Sequence, residues 1–315
     1  MKKFELTQNK KNWEGRTLYQ IKACTSFTTN SGIEISAGEL GGWVEKEQNL
    51  SQRGKAWIWS DTKIYGAAKV YGNAEIYGNA KIYEEANISG NAIIYGNAKI
   101  FGNAVIRGNA KVYGNAIIYG DSKISGYAKV CGNAEISGYA KVYGNAEIWG
   151  DAEIYGEAKV WGNSKISGNA KICGNAEISE NALIWGYSEI YGNAKICGNA
   201  EIFGYAKVYD NAEIWGDVEI CDYSEIYGCS KVFGDAKIGG DAFISSPDDI
   251  LTITPLGKYR VSLTFFKTKE NSIKVSYNWE IYTLEKFQSV MNDWTEEEIK
   301  IAKAIIEVAK VAIKF

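Results

Sequence analysis

From Ile58 to Ile244 an isoleucine or valine stands at every sixth position, 32 times in succession and without a slip. A fixed short period of this kind specifies a solenoid, because a repeat of six residues cannot bury its own apolar face and must stack on its neighbours. Two positions before each Ile or Val the residue is small: Ala or Ser everywhere except Thr62 and Val218. Residues two apart on a strand share a face, so both slots point inward. The positions flanking each Ile or Val are mostly charged or aromatic and point outward, as do Glu75 and Tyr77 around Ile76. A Gly followed by Asn makes the corner, since both tolerate positive φ. Six Gly slots differ: Ser60, Glu84, Glu180, Asp210, Asp222 and Ser246.

Three six-residue sides closing into an 18-residue triangular coil put three Ile or Val inside each turn. The repeats then make roughly ten to eleven coils, a prism about 50 Å long at a coil spacing of about 4.8 Å. A flatter coil of two hexads is the alternative. The expected organisation is an N-terminal β cap over residues 1–56, the solenoid over 57–246 and a small α+β module over 247–315. In the first segment Leu18 to Ala23 reads as a strand, with turns at Gly38 and Gly41-Gly42. In the last, Tyr259 to Phe266 and Ile273 to Tyr282 read as strands and Thr283 to Met291 as a short helix. Thr295-Glu296-Glu297-Glu298 is a capping box opening a longer helix, whose Ile299, Ala302, Ile305, Ile306, Ala309 and Ala312 keep helical spacing. An open solenoid end exposes unpaired backbone, so both end segments are candidate lids.

The Ala/Ile alternation with this corner resembles the left-handed parallel β-helices of the hexapeptide-repeat class. Leu40-Gly41-Gly42-Trp43-Val44, then Asn49-Leu50-Ser51-Gln52, Gly54 and Trp57-Ile58, are similar to the opening segment of YdcK-like bacterial hexapeptide proteins, which carry an acyltransferase label, and of phage and prophage repeat proteins from Gram-positive bacteria. The terminal module resembles a tail found on phage-type repeat proteins through Phe265-Phe266-Lys267-Thr268-Lys269, Ile273-Lys274-Val275 and Thr283-Leu284-Glu285-Lys286-Phe287. What the resemblance implies is a fold and a cap. Hexapeptide acyltransferases use a histidine as general base, and this chain has none. Nor does a loop interrupt the hexads. The expectation is therefore a non-catalytic protein without cofactor or metal, an acyltransferase being the alternative and a small-ligand-sequestering oligomer a third reading.

A net charge of −3, from 35 basic and 38 acidic residues, gives no global attraction to nucleic acid or anionic membrane. No segment is apolar enough to span a bilayer, and Met1-Lys2-Lys3-Phe4 leads into polar residues rather than a signal-peptide core. A cytoplasmic protein is expected. Cys131, Cys173, Cys197 and Cys221 take outward slots, no two of them one coil apart; with Cys24 and Cys229 they are expected as free thiols. No CxxC pair occurs, and a zinc site would lack histidine.

Outward aromatics recur at every eighteenth position. One column begins Tyr65, Tyr83, Phe101, Tyr119; a second begins Trp59, Tyr77, Tyr95, Tyr113. Stacking between coils is one reading and a long binding or oligomer face the other. At one corner Tyr187, Tyr205 and Tyr223 replace the usual Asn in consecutive coils, as a solvated ladder or a contact ridge. One face carries Lys69, Lys123, Lys141, Lys159, Lys195 and Lys231, interrupted by Glu177 and Glu213, a stripe too thin for nucleic acid. Ile93, Val105, Ile117 and Leu183 put aliphatics in outward slots without forming a patch. The expected role is a phage or prophage accessory scaffold binding a host or viral protein, with antagonism of host defence as a biological setting. A homo-oligomer, trimer or dimer, is a further expectation. The candidate partner-binding residues are Tyr187, Tyr205, Tyr223, Tyr65, Tyr83, Phe101 and Tyr119.

Overall fold

The computed structural model describes residues 2–256, 261–278, 280–291 and 294–313. The chain is a parallel β-solenoid preceded by N-terminal strands and followed by a small strand-and-helix module. It divides into two compact units, Met1–Asn163 and Ser164–Phe315.

In the first unit the hexads become two-residue strands such as Lys81–Ile82, Lys99–Ile100 and Lys123–Ile124. Pairing is parallel, with Lys81 opposite Lys99 and Lys123 opposite Lys141. Partners eighteen residues apart mean three hexads per coil, which excludes the two-hexad alternative. The second unit repeats the pattern, with Lys195 opposite Glu213 and Glu201 opposite Glu219. Every Ile or Val slot and every small slot is buried, Ile148 and Ala146 at 0% exposure. Where Ser takes the small slot its hydroxyl donates three residues back: Ser122 to the Tyr119 carbonyl, Ser188 to Trp185 and Ser230 to Tyr227. A buried hydroxyl so paired avoids the penalty of about 1–3 kcal/mol for an unmade bond.

The corner glycines need left-handed backbone, and the neighbouring coil forbids a side chain as well. Gly102 has φ +67°, and a Cβ there would lie 2.8 Å from the Gly120 amide nitrogen. Glu84, Glu180, Asp210 and Asp222 nevertheless occupy such corners with φ between 56° and 59°. A left-handed non-glycine residue costs roughly 1–2 kcal/mol. Each of these carboxylates accepts the amide of the corner glycine one coil on: Gly102 at 2.8 Å, Gly198 at 2.7 Å, Gly228 at 3.3 Å and Gly240 at 2.9 Å. A hydrogen bond to a charged acceptor contributes about 1.5–3 kcal/mol, enough to offset the strain. Ser246 is not left-handed. It caps the 3-10 turn Pro247–Asp249, where the chain leaves the repeat.

The N-terminal cap begins as a hairpin, β1 (Phe4–Trp13) and β2 (Arg16–Ala23), turning at Glu14-Gly15 with positive φ at both. Beyond a two-stranded hairpin, β3 (Phe27–Thr28) with β4 (Glu34–Ile35), comes β5 (Leu40–Val44). It runs antiparallel to β2 and parallel to Lys63–Ile64, joining the cap to the coils. Gly38 is left-handed, as its turn requires, but Gly41-Gly42 lies within this strand rather than in a turn. The reason is close approach: a Cβ on Gly41 would meet Ile21 Cγ1 and the Ile58 carbonyl, both at 2.7 Å.

The terminal module has four antiparallel strands, Ile250–Leu256, Val261–Lys267, Ile273–Tyr277 and Glu280–Thr283. Two helices follow, α1 (Leu284–Ser289) and α2 (Glu296–Ala312). The first strand was not expected, and the single strand expected over 273–282 is a hairpin turning at Asn278, φ 49°. The start of the expected strand at Tyr259 lies outside the described residues. Thr295 and Glu298 form the anticipated capping box. Leu263, Phe265, Val275, Phe287, Ala302, Ile306, Ala309 and Ile313 build the module's core, while Ala312, expected on that face, is exposed.

Two outcomes follow from this packing. Ile148→Asp places an unpaired carboxylate in a site of 0% exposure and is expected to cost several kcal/mol, read as a large fall in melting temperature by circular dichroism. The second concerns Lys3, which is 7% exposed and donates to the Ala56 carbonyl at 2.7 Å. Burial lowers its ammonium from 10.5 to about 8. Between those values the unfolded chain binds more protons, so stability rises with pH across that window, and below it the penalty is constant. Lys3→Met is expected to make the rise in urea midpoint from pH 7.5 to 10 shallower. It leaves the smaller share from Lys11 and Lys63, which burial also lowers.

Candidate binding surface

Outward side chains form columns because each stands one coil from its equivalent. Asn corners show the default. Asn79 Nδ2 donates to Asn97 Oδ1, Asn97 to Asn115 and Asn115 to Asn133, at 3.0–3.2 Å. In the second unit the same is true of Asn175, Asn193 and Asn211, at 3.0 Å. Such amide ladders hold neighbouring coils in register.

Tyr187, Tyr205 and Tyr223 break that rule. Their rings stack in parallel with centroids 5.0 and 5.1 Å apart and interplanar angles of 5° and 4°. They are 53%, 48% and 63% exposed. The backbone amide of each still feeds the coil-to-coil ladder, Tyr187 to Gly204, Tyr205 to Asp222 and Tyr223 to Gly240. The corner is therefore built normally, and only the side chain has changed. The Tyr223 carbonyl accepts from Lys269 of the terminal module at 3.5 Å, so the ridge runs up to that module.

The other candidate column lies differently. Tyr65, Tyr83, Phe101 and Tyr119 stack at 5.0, 4.8 and 5.0 Å. Tyr65, however, is 4% exposed. The cap covers it: its hydroxyl donates to Glu14 at 3.0 Å and the Arg16 guanidinium lies 5.8 Å from its ring. Burial first, then the Glu14 contact, raises its phenol. Tyr83 is raised likewise, chiefly by burial. Tyr119 donates to Glu135 at 2.6 Å, and that bond is the main cause of its raised pKa. Only part of this column is thus open to solvent. Glu75, outward as expected, is also covered: its carboxylate accepts from the Ser31 amide, the Ser31 hydroxyl and the Tyr77 hydroxyl. Tyr77 is pushed up to about 12 by burial and by Glu75.

Several charged columns pair across coils. Lys129 meets Glu147 at 2.6 Å, Lys207 meets Glu189 at 3.1 Å, Lys237 meets Glu219 at 3.3 Å and Lys231 meets Glu213 at 3.5 Å. All six cysteines are free. Cys221 is pushed up to about 12 by burial and by Asp222 beside it, and Cys197 is raised chiefly by burial, which disfavours the reactive thiolate at both. No group of three or more metal-ligating side chains converges among the described residues. No helix among them is long and apolar enough to cross a membrane.

Sequence reasoning passed over two further exposed corner tyrosines, Tyr127 at 63% and Tyr139 at 60%. Each is isolated in its own corner column, so no run drew attention to it. The shared signal was Tyr in an Asn slot.

No protein-family model matches the chain, and no curated protein does.

Proposed function

We propose that this chain is a non-catalytic binding protein that holds a protein partner on the Tyr187–Tyr205–Tyr223 ridge and the adjoining terminal module. The observation that carries the reading is the substitution of an amide ladder by three exposed rings. The corner gains no hydrogen bond from them, and Asn serves the same backbone elsewhere. Parallel stacking orders the rings before a partner arrives, which lowers the entropic cost of contact. Tyrosine is enriched among the residues that dominate interface energy. The module adds non-repetitive surface beside the ridge, through which one partner can be distinguished from another. The resemblance of both end segments to phage-type repeat proteins supports an accessory role in phage or prophage biology, with a host-defence protein as the class of partner to test.

Changing Tyr187, Tyr205 and Tyr223 together to Asn is expected to leave the melting temperature within a few degrees of wild type. Capture of a specific protein from host-cell lysate is expected to fall at least tenfold, by quantitative pull-down. Equal capture by the folded triple variant rules out the ridge. The same preparation is expected to transfer no acetyl group from acetyl-CoA to amines or hydroxyls. Turnover abolished by replacing one Asp or Glu would overturn the non-catalytic reading.

A further inference from the structure

In the second unit the three sheets of the coils end on the strands Phe243–Ile244, Lys237–Ile238 and Lys231–Gly234. The terminal module closes the first two. Ala242 bridges Thr268, and the Asp241 carbonyl accepts the Lys269 amide. The Thr264 hydroxyl accepts the Lys237 amide. The third strand has Glu213–Gly216 on one side and no strand on the other. On the paired side the Ser230 carbonyl accepts from Glu213 and the Gly234 carbonyl from Asp217. The amides of Lys231, Phe233 and Asp235 face the open side, since their equivalents Lys195, Cys197 and Asn199 donate forward to Ala212, Ile214 and Gly216. None of the three has an acceptor among the described residues. The corner glycines agree. A Cβ on Gly228 would run into the Ser245 carbonyl and one on Gly240 would lie 3.6 Å from Ile281 Cδ1, whereas one on Gly234 has nothing within 4 Å. Lys231, Phe233, Gly234 and Asp235 are all exposed.

A further coil would lay Asp249-Ile250-Leu251 against Lys231-Val232-Phe233, eighteen residues on. The chain leaves the repeat instead at Pro247, which has no N–H to give. Asp249 turns back to accept the Ser245 and Ser246 amides, and Ile250 and Leu251 pair with Phe266 and Phe265. One rung of this sheet is therefore missing, and the columns that stop at Lys231–Gly234 define the side chains that suit it. Glu177, Lys195, Glu213 and Lys231 stand in register and alternate in sign, with Lys231 3.5 Å from Glu213. An acidic residue continues that column. Trp215 and Phe233 stack at 5.2 Å, and Phe233 is 56% exposed. An aromatic residue continues that one. Between them the inward side is already filled, Val232 being 1% exposed, so the residue there has to be small. An unpaired edge strand is a template on which an extended segment adds as a further strand, with main-chain hydrogen bonds for affinity and alternate side chains for selection.

We infer that Lys231–Gly234 takes up an extended segment of a partner protein with the pattern acidic–small–aromatic, running parallel to it. The Lys231, Phe233 and Asp235 amides donate to its backbone, the acidic residue meets Lys231 and the aromatic ring stacks on Phe233. The edge lies on a different sheet from the tyrosine ridge, and the two readings stand or fall separately. Isothermal titration of the full chain with the capped peptide Gly-Asn-Ala-Glu-Ala-Trp-Gly-Asn tests it. Saturable binding is expected, and replacing the peptide Glu by Lys should weaken it at least tenfold. Lys231→Glu should reverse that preference, so that the Lys peptide binds and the Glu peptide does not. Glu201 and Glu219 already stand in register, so this variant is expected to melt like wild type. Phe233→Ala should weaken binding at least threefold. Phe233→Pro, which also removes a donor that faces away from the sheet, should weaken it at least tenfold. Changing Tyr187, Tyr205 and Tyr223 together to Asn should leave it unchanged. Absence of saturable binding by the wild-type chain at millimolar peptide overturns the inference, as does a Lys231→Glu chain that keeps the wild-type preference. Concentration-dependent dimerisation of the wild-type chain that Phe233→Pro abolishes would assign the edge to a second copy and overturn the peptide assignment.

Discussion

The coil-to-coil hydrogen bond has a direction, and the rest of the structure answers to it. At three positions of a hexad the backbone amide donates to a carbonyl seventeen residues on, as Lys81 does to Ala98, Tyr83 to Ile100 and Glu85 to Gly102. The first coil is therefore left with an excess of spare carbonyls and the last with an excess of spare amides. A buried peptide group without a partner is costly, so the two ends need opposite chemistry. The N-terminal cap supplies donors. Lys3 reaches Ala56, the Asn49 amide reaches Gly66 and Ala68, and the Trp43 and Glu45 amides reach Thr62 and Ile64. The C-terminal segment supplies acceptors. The Thr264 hydroxyl takes the Lys237 amide and Asp249 takes the amides of Ser245 and Ser246. The two lids are thus not interchangeable, and Lys3 sits desolvated because a carbonyl awaits it there.

That same spacing governs the outer surface. Any residue type placed in one slot of successive coils becomes a column of stacked equivalents, for better or worse. Aromatics gain, with centroids at 4.6–5.2 Å in pairs such as Trp185–Phe203 and Trp215–Phe233. Asparagines gain an amide ladder. Acidic residues at a corner gain a glycine amide. Lysines stacked on lysines lose, unless something outside the column answers them. Each column can be read for whether its own chain accounts for it, and the functional readings fall where it does not.

The interior was legible in the sequence because its constraint is local and periodic. Ile at six-residue intervals with Ala two before it needs no knowledge of distant contacts, and the eighteen-residue register followed from closing three sides. The misreadings share a different origin. Gly41-Gly42 carries the composition of a turn, yet it is strand because Ile21 and Ile58 press against it from both sides. The strand Ile250–Leu256 contains Pro255, which obscured it, and Asn278 divides what looks like one apolar run into a hairpin. Tyr65 was readable as part of a column but not as covered, since the residues that cover it, Glu14 and Arg16, lie about fifty positions earlier. Long-range contacts of the end segments were the part that sequence patterning could not supply.

A lattice of identical slots also limits what a surface can recognise. A partner that docks on three repeated columns can dock one coil higher or lower at nearly the same energy. Specific recognition therefore needs a place where the repeat is broken. Two such places on the described coils are the run of corner tyrosines from Tyr187 to Tyr223 and the lone Tyr139 between the Asp121 and Glu157 corners. The first is bounded on one side by Lys269 of the terminal module, which removes the freedom to slide in that direction. The second is bounded by the Asp121 and Glu157 corners of the coils before and after it. In both, register is set by residues that do not recur, so the repeat acts as a ruler and the departures from it mark the positions to be read.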